Sequence, residues 1–489
     1  MTSACSSMSV YVAAAGNSFV SQSGLVAVLK AVRKHGLPDA ISRPTLKRRR
    51  AEAIPQETPV GPLWGSIQLL CEDNKLLELP VCNPYALLYV TLDNCKPFRE
   101  YFETVIGSEG NSAAAPLRII CYCDEILPGD QLKATNMRKL VAWYWSILDF
   151  KGQLGREQLW FQLTCCRTVH VKKVLGQYSQ IWKKVCQLFQ TQPLDGRLGI
   201  NLPLGGSCSH VFFKVQVLLG DEAALKQCWS NKGSSGLFIC IFCQNVTNHL
   251  MDLAAHDRTG RLVPSCICSL NTCAQHTDQS IKQAAKKLVL EKGRIRKGAF
   301  EDLEKALGLT FSAEGALYDE NFVNSIPGPV SMTSYDWMHI YLVSGLWNSE
   351  IPLLMNAINT EHGMGVQALA NFLKTVTWPK KNSSKGTAGI KAVEKHKEGH
   401  LSCSASEGLS LYASVRCFLQ TKVPQSAAGS AAFKAVKSYY CLAAVLDLLV
   451  KTRKGAALPD EPRQLSLTNC NSICLEPLFS YCPGLHFYI

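Results

Sequence analysis

The sequence predicts an α/β fold in which a mixed β-sheet is flanked by helices. Three apolar runs, Leu117–Cys123, Leu140–Leu148 and Leu159–Cys165, are separated by short connections, which is typical of an antiparallel meander. The apolar residues of segment 176–190 recur at helical spacing. A fourth apolar run, Val211–Gly220, follows a glycine-rich turn and predicts another strand. At 489 residues, the chain is long enough for a large core with insertions.

Two of these predicted strands are followed by an aspartate, Asp124 after the first and Asp221 after the fourth. A carboxylate at the end of a buried strand is costly to desolvate, and a bound cation is one common compensation. The alternative is that Asp124 caps the turn that leads to Pro128-Gly129. Three strands, a helix and a fourth strand beside the first form a ribonuclease-H-like arrangement. In that arrangement the two carboxylates end strands roughly 5 Å apart and can share divalent cations.

Composition and charge narrow the class of protein. The 51 Lys and Arg against 38 Asp and Glu give a formal charge of +13, which favours a polyanionic partner but also serves solubility. The 22 cysteines are scattered, and several lie inside apolar runs, so we expect reduced, buried thiols. The N-terminus lacks the pattern of a signal peptide, and the apolar stretch near Tyr439–Val450 is too short to span a bilayer. We therefore expect a soluble, intracellular protein without a membrane partner.

The sequence divides into a core, an insertion and flanking segments. The first segment contains a compact basic run that can serve nuclear import, contact phosphates or simply face water. This run is Lys47, Arg48, Arg49 and Arg50. The predicted segments are a basic, partly disordered N-terminal segment (1–60), an N-terminal accessory region (61–114), the first part of the core (115–227), a Cys/His-rich insertion (228–330), a helical second part of the core (331–455) and an irregular C-terminal tail (456–489).

The insertion carries a C-x-x-C pair, Cys240 and Cys243, followed by further thiols and an imidazole. Thiolates and an imidazole at this separation match a tetrahedral structural Zn²⁺ site. We predict Cys240, Cys243, Cys268 and His276 as the ligands, with Cys266 and Cys273 as alternatives for the later positions. Ordinary buried cysteines are the other interpretation.

A basic stretch with helical periodicity follows over 281–307. It either lies on a nucleic-acid backbone or faces solvent. The residues that we single out for a phosphate contact are Lys292, Arg294, Arg296 and Lys297.

Three further polar residues open helical patterns later in the chain. Asp336 and His339, three apart, are expected on one face of a helix, although Asp336 also suits a helix cap and His339 a core position. Glu407 precedes an apolar helical pattern, where a carboxylate interacts favourably with the helix dipole. A ribonuclease-H-like nuclease places its third metal ligand in a comparable position.

These motifs and their order resemble the transposases of CACTA-type (En/Spm) DNA elements, and more closely the repetitive transposase-like proteins of some large protist genomes. The resemblance covers roughly residues 115–425. It rests on the segments Tyr122–Pro128, Leu219–Glu222, Gly236–Cys243, Tyr335–Ile340 and Ser404–Glu407.

The resemblance implies a ribonuclease-H-like core with a Cys/His insertion after its fourth strand, in a nuclear protein that cleaves and rejoins DNA. Asp124, Asp221 and Glu407 would be a D-D-E set that binds Mg²⁺ or Mn²⁺. The expected partner is double-stranded DNA at the ends of the element, and a homo-oligomer is left open. The chain departs from the family pattern at Glu125, where a Gly is usual, and at Tyr341, where an acid is usual. A catalytically inactive, element-derived protein that binds zinc and DNA is the alternative function.

Overall fold

The structure, a computed structural model, describes most of the predicted core. The described residues are 57–126, 139–191, 193–205, 207–244, 275–343, 345–379, 383–395 and 401–453. Several predicted features lie outside them: the basic run 47–50, the Pro128-Gly129 turn, the thiols Cys266, Cys268 and Cys273, and the tail 456–489.

The N-terminal accessory region combines short strands with two helices. It is preceded by β1 (Glu57–Thr58), and its own elements are β2 (Gly61–Pro62), β3 (Trp64–Leu70), β4 (Leu76–Cys82), α1 (Pro84–Asn94) and α2 (Lys96–Glu109). β3 and β4 form an antiparallel hairpin. Asn83 caps α1 because its side-chain oxygen accepts hydrogen bonds from the amides of Tyr85 and Ala86. Pro84 then suits the first helical position, where an amide hydrogen is not needed.

The predicted meander and the helix after it are both present. The strands are β5 (Leu117–Ile126), β6 (Leu140–Ile147) and β7 (Phe161–Arg167), followed by the short α3 (Thr168–Val171) and by α4 (Tyr178–Gln187). β6 pairs antiparallel with β5 and with β7. Leu148 and Leu159, which the apolar pattern assigned to strands, instead lie in 3-10 helices at Leu148–Gly155 and Glu157–Leu159.

The fourth apolar run is shared between two strands. A hairpin of β8 (Ile200–Leu204) and β9 (Ser207–Val211) comes first, and Val211 belongs to it rather than to the next strand. The following strand is β10 (Phe213–Gly220), and α5 (Glu222–Cys228) begins directly after Asp221.

The insertion and the second part of the core are mostly helical. The basic stretch 281–307 forms two helices instead of one. The elements are α6 (Asp278–Glu291), α7 (Lys297–Leu307), α8 (Glu320–Ser325), β11 (Thr333–Tyr335), α9 (Trp337–Tyr341), α10 (Leu346–His362), α11 (Val366–Thr375), α12 (Ser383–Glu394), α13 (Ala405–Thr421) and α14 (Ala431–Arg453).

Five strands form one mixed sheet in the order β11-β10-β5-β6-β7. β5, β10 and β11 are mutually parallel, whereas β6 is antiparallel to both of its neighbours. The sheet is flanked by helices, so the predicted class, α/β with a mixed sheet, is confirmed.

The two faces of this sheet pack differently. On one face a large core joins the sheet to the accessory region and to the insertion, and Trp143 of β6 stacks on Trp182 of α4 at 5.9 Å between ring centroids. On the other face a small cluster of Ile120, Leu148 and Val217 is buried. This difference leaves polar residues of β5 on the less covered face.

A second hydrophobic core lies among α10 to α14. α14 also contacts the 3-10 helix Leu148–Gly155, so it lies beside the less covered face of the sheet. In the part of the chain that the structure describes, no helix is both long and apolar enough to cross a membrane.

Candidate acidic site at the sheet edge

Two neighbouring parallel strands, β10 and β11, end at the same level of the sheet, and β5 passes that level and ends at Ile126. Gly220 of β10 pairs with Cys123 of β5 on one side and with Tyr335 of β11 on the other. Because parallel neighbours lie about 4.8 Å apart, the residues that come next share one edge. The residue that follows each of these three paired residues is an aspartate, namely Asp124, Asp221 and Asp336. We call these three residues the acidic row.

Asp124 is half-buried and is bonded on both carboxylate oxygens. Oδ1 accepts a hydrogen bond from the Glu125 amide at 2.7 Å, and Oδ2 accepts one from the Tyr122 hydroxyl at 3.0 Å. Burial raises the pKa of Asp124 above its ordinary value, although both hydrogen bonds and the charge of His339 oppose this shift. The negative charge of Asp221 raises it further. Asp124 therefore interacts electrostatically with its neighbour in the row.

Asp221 and Asp336 both cap the helices that follow them. The Asp221 Oδ1 atom accepts a hydrogen bond from the Ala224 amide at 2.6 Å, at the start of α5. The Asp336 Oδ1 atom accepts one from the Met338 amide at 2.9 Å, at the start of α9. Capping fixes the two side chains at the sheet edge, because each cap bond ties the carboxylate to a helix N-terminus.

His339 adds a basic group to the row. Its Nδ1 atom lies 2.8 Å from Asp336 Oδ2, so the predicted Asp-x-x-His pair does share one face. The hydrogen bond to Asp336 raises the pKa of His339, partial burial lowers it, and the charges of all three row aspartates raise it. His339 therefore interacts electrostatically with three carboxylates and is hydrogen-bonded to one of them.

Glu407 lies in the first turn of α13, which is not part of the sheet. Its Oε2 atom accepts a hydrogen bond from the Ser404 amide at 2.8 Å and completes a capping box. Burial, together with the charge and hydrogen bond of Glu407, raises the pKa of the Cys403 thiol to about 12. Glu407 lies in a helix, and the pairing of Gly220 with Tyr335 instead places Asp336 level with Asp124 and Asp221. The sequence pattern singled out Asp336 only as part of a motif with His339.

The donor types of the row suit a hard divalent cation, since carboxylate oxygens are the ligands that Mg²⁺ and Mn²⁺ prefer. Within the described ranges, however, no three His, Cys, Asp or Glu side chains are grouped as a metal site. The row carboxylates instead accept hydrogen bonds from backbone amides, Tyr122 and His339.

Comparison with other proteins does not decide what the row does. Neither the models of known protein families nor the curated proteins give a match to this chain. The resemblance to CACTA-type transposases therefore stays a hypothesis. The interpretation of the row rests on its own geometry and chemistry.

Backbone pairing brings together the chain segments of the predicted zinc ligands that are described, although Cys240, Cys243 and His276 are not grouped as a metal site in the described part of the chain. Gln275 forms an antiparallel bridge with Cys243, and the His276 amide donates a hydrogen bond to the Phe242 carbonyl at 2.9 Å. The Cys240 sulfur accepts a hydrogen bond from the Phe242 amide at 3.4 Å. Cys240, Cys243 and His276 are all buried. The fourth predicted ligand, Cys268, lies outside the described residues.

The basic residues of the insertion lie at the turn between α6 and α7. Lys292 places its Nζ atom 4.7 Å from the ring centroid of Phe300. Arg294, Arg296 and Lys297 are exposed, and Lys297 lies 3.9 Å from Glu301 in a solvent-exposed ion pair. The other predicted contact, the run 47–50, is not among the described residues.

Proposed function

We propose that this protein is a divalent-metal-dependent DNA nuclease and strand transferase with a ribonuclease-H-like core, and that Asp124, Asp221 and Asp336 are its metal ligands. The observation that carries the proposal is the register of β5, β10 and β11, which puts Asp124 of β5 level with the aspartates that directly follow β10 and β11. The strand order supports the fold, since the fourth strand lies beside the first and parallel to it.

The chemistry of the proposed reaction needs carboxylates of this kind. Mg²⁺ or Mn²⁺ held by them would activate water or a DNA 3′ hydroxyl and stabilise the leaving oxygen at phosphorus. The Tyr122 hydroxyl and the Glu125 amide orient Asp124, and the helix caps orient Asp221 and Asp336. Burial keeps Asp124 in a less polar environment, where its charge interacts more strongly with a cation than it would in water.

His339 has two roles in this proposal. Its Nδ1 atom holds one oxygen of Asp336, which fixes the orientation of that carboxylate. The charges of all three aspartates raise its pKa, and its protonated form would offset their mutual repulsion. In the proposed reaction His339 is a positioning residue.

The test is nicking of supercoiled plasmid DNA by the full chain with Mg²⁺ or Mn²⁺. We expect Asp124→Asn, Asp221→Asn and Asp336→Asn each to lower the nicking rate by about 100-fold or more, since each removes a ligand worth several kcal/mol of transition-state stabilisation. Asp93→Asn, at an exposed residue of α1, is the matched control and should nick like the unsubstituted chain. Metal-dependent nicking that survives all three row substitutions would overturn the proposal.

A catalytically inactive DNA-binding protein is the second candidate. It is favoured by the hydrogen bonds that occupy the row carboxylates. This candidate predicts DNA binding that weakens with salt, because phosphate contacts release counterions. It also predicts no nicking with either metal.

We further propose a structural Zn²⁺ site with Cys240, Cys243 and His276 as ligands. The antiparallel bridge between Cys243 and Gln275 supports it, because it pairs the chain at the C-x-x-C motif with the chain directly before His276. Metal analysis of the purified chain should find about one zinc per chain. Cys243→Ser should lose that zinc, and Cys95→Ser, at an exposed cysteine of another segment, should keep it.

A further inference from the structure

The corner between α6 and α7 exposes cations that have no ion-pair partner among the described residues. α6 buries Ile281, Ala284, Ala285 and Leu288 on its inner side. Its outer side and the following turn expose Lys286, Lys287, Arg294 and Arg296, which we call the basic corner. None of these four forms an ion pair with any residue that the structure describes. Four cations this close repel each other, and a polyanion relieves that repulsion.

The turn that carries the two arginines is held by aromatic rings. The Lys292 Nζ atom lies 4.7 Å from the Phe300 centroid and 5.3 Å from the Phe311 centroid. These two rings pack edge to face at 6.0 Å. A cation over aromatic faces contributes about 0.5 to 2 kcal/mol. Lys292 is exposed, but its ammonium group is therefore engaged by the two rings of the corner.

The backbone fixes the direction of the arginines. Gly293 follows Lys292 with a φ of +80°, in the left-handed region that favours glycine. The Arg294 amide donates a hydrogen bond to the Glu291 carbonyl at 3.0 Å. Ile295 packs against the core between the two arginines, which leaves both guanidinium groups at the surface. The arginines are thus presented from a defined turn.

α6 also connects this corner to the strand that leads to the acidic row. At its first residue, the Asp278 Oδ1 atom accepts hydrogen bonds from the amides of Val330 at 2.6 Å and Ser331 at 3.0 Å. Those residues immediately precede β11, which ends next to Asp336. With its 14 residues, α6 is about 21 Å long, so the corner is fixed relative to that strand.

We propose that the basic corner grips the phosphate backbone of a DNA duplex through Lys286, Lys287, Arg294 and Arg296, and that Lys292 holds the turn instead of contacting phosphate. DNA as the partner rests on the proposed function. Charge complementarity supports it, since a duplex carries one negative charge per 1.7 Å or so of its axis. Val289 and Leu290, 45% and 47% exposed beside the cations, add apolar surface for the deoxyribose rings.

The binding test uses the full chain with Asp124→Asn as background, in EDTA, so that cleavage plays no part. The probe is a fluorescein-labelled 30-base-pair duplex of random sequence, followed by anisotropy over a salt series. Adding Arg294→Ala and Arg296→Ala should weaken binding about tenfold near 0.1 M salt and reduce the slope of log affinity against log salt by about 2. The control, Lys75→Ala with Lys96→Ala, removes the same charge from two lysines that are paired with Asp73 and Glu100.

The role of Lys292 is tested without changing any charge. Phe311→Leu removes one ring of the pair that contacts Lys292, and it should weaken binding a few-fold while the salt slope stays the same. Binding equal to that of the background chain would overturn the role of Lys292.

Equal binding by the arginine variant and the background chain, or an equal loss in the lysine control, would overturn the basic corner itself. The two proposals fail separately. If the chain nicks DNA but the arginine variant binds DNA as well as the background chain, only the proposal for the basic corner is contradicted. If the arginine variant binds more weakly but the unsubstituted chain does not nick DNA, only the nuclease proposal is contradicted.

Discussion

The Nδ1 atom of His339 lies 2.8 Å from Oδ2 of Asp336, while the other oxygen of the same carboxylate caps α9. One carboxylate therefore serves a helix terminus and an imidazole at once. Capping and function are often treated as competing explanations for such an aspartate, but this geometry satisfies both. The cap bond fixes the position of the Asp336 carboxylate, and the contact with the imidazole fixes its rotation.

Asp336, and not Glu407, is expected to be the third acid needed for cleavage. Asp336→Asn should lower plasmid nicking by about 100-fold, since it removes a charged ligand from the row. Glu407→Gln should keep nicking within about threefold, because glutamine also completes a capping box with Ser404. Nicking rates of the two purified variants, with melting curves to verify folding, decide between them. Loss in Glu407→Gln with activity retained in Asp336→Asn would reverse the assignment.

Mn²⁺ should stabilise the folded chain through the acidic row. A ligand that binds only the folded state at 100 times its dissociation constant contributes about 2.7 kcal/mol. Differential scanning fluorimetry should therefore show a Tm that rises with Mn²⁺ concentration. Asp124→Asn should lose this dependence, and without Mn²⁺ it should melt slightly above the unsubstituted chain, because one of three like charges is gone. An unchanged Mn²⁺ dependence in that variant would place the cation elsewhere.

Glu350 should make the stability of the helical part depend on pH. It is 5% exposed, and burial raises its pKa, opposed by a hydrogen bond with Ser438. A carboxyl whose folded pKa is raised stabilises the fold fully below its unfolded value, near pH 4.3, and this contribution is lost as the pH rises through the folded value. At pH 7.5, Glu350→Gln should therefore melt roughly 1 to 3 °C higher than the unsubstituted chain.

That advantage should disappear as the pH approaches 4. Thermal melts from pH 4 to 8 measure it, with Glu72→Gln, at an exposed residue, as the control. A Tm difference that does not change with pH would show that the Glu350 charge is not its cause.

Gly328 should be intolerant of a side chain. Its φ is +139°, and a Cβ atom there would overlap the Asp278 carboxylate that holds the segment before β11. Gly328→Ala should cost about 1 to 3 kcal/mol of unfolding free energy. Gly65→Ala is the control, since nothing lies within 4 Å of the added atom. Urea unfolding of both variants measures the difference, and equal midpoints would contradict the close packing.

The strands with long apolar runs could be predicted from sequence because periodicity alone identifies them. β5, β6 and β10 are eight to ten residues long, and each is rich in aliphatic, β-branched or aromatic residues. β11 has only three residues, Thr333, Ser334 and Tyr335, and gives no such signal. Its place in the sheet depends on pairing with β10, more than a hundred residues earlier. Asp336 could not be recognised as part of the acidic row for that reason.

Local patterns also left the role of single residues open. The Ser404 and Glu407 spacing is that of a capping box, and the structure gives it that geometry. Lys292 looks like its basic neighbours in the sequence, and only the positions of Phe300 and Phe311 distinguish it. Both outcomes depend on which groups the fold brings near the residue, and that information is not contained in the spacing.

β11 is the last strand in the five-strand order, whereas β10 and β5 lie inside the sheet. A three-residue edge strand can open by local unfolding at a free energy below that of the whole domain. Such an opening would remove Asp336 and His339 together and leave Asp124 and Asp221 in their places. Asp336 is therefore the member of the row that local unfolding can displace, and under the proposed nuclease function such an opening would stop cleavage while the rest of the sheet stays folded.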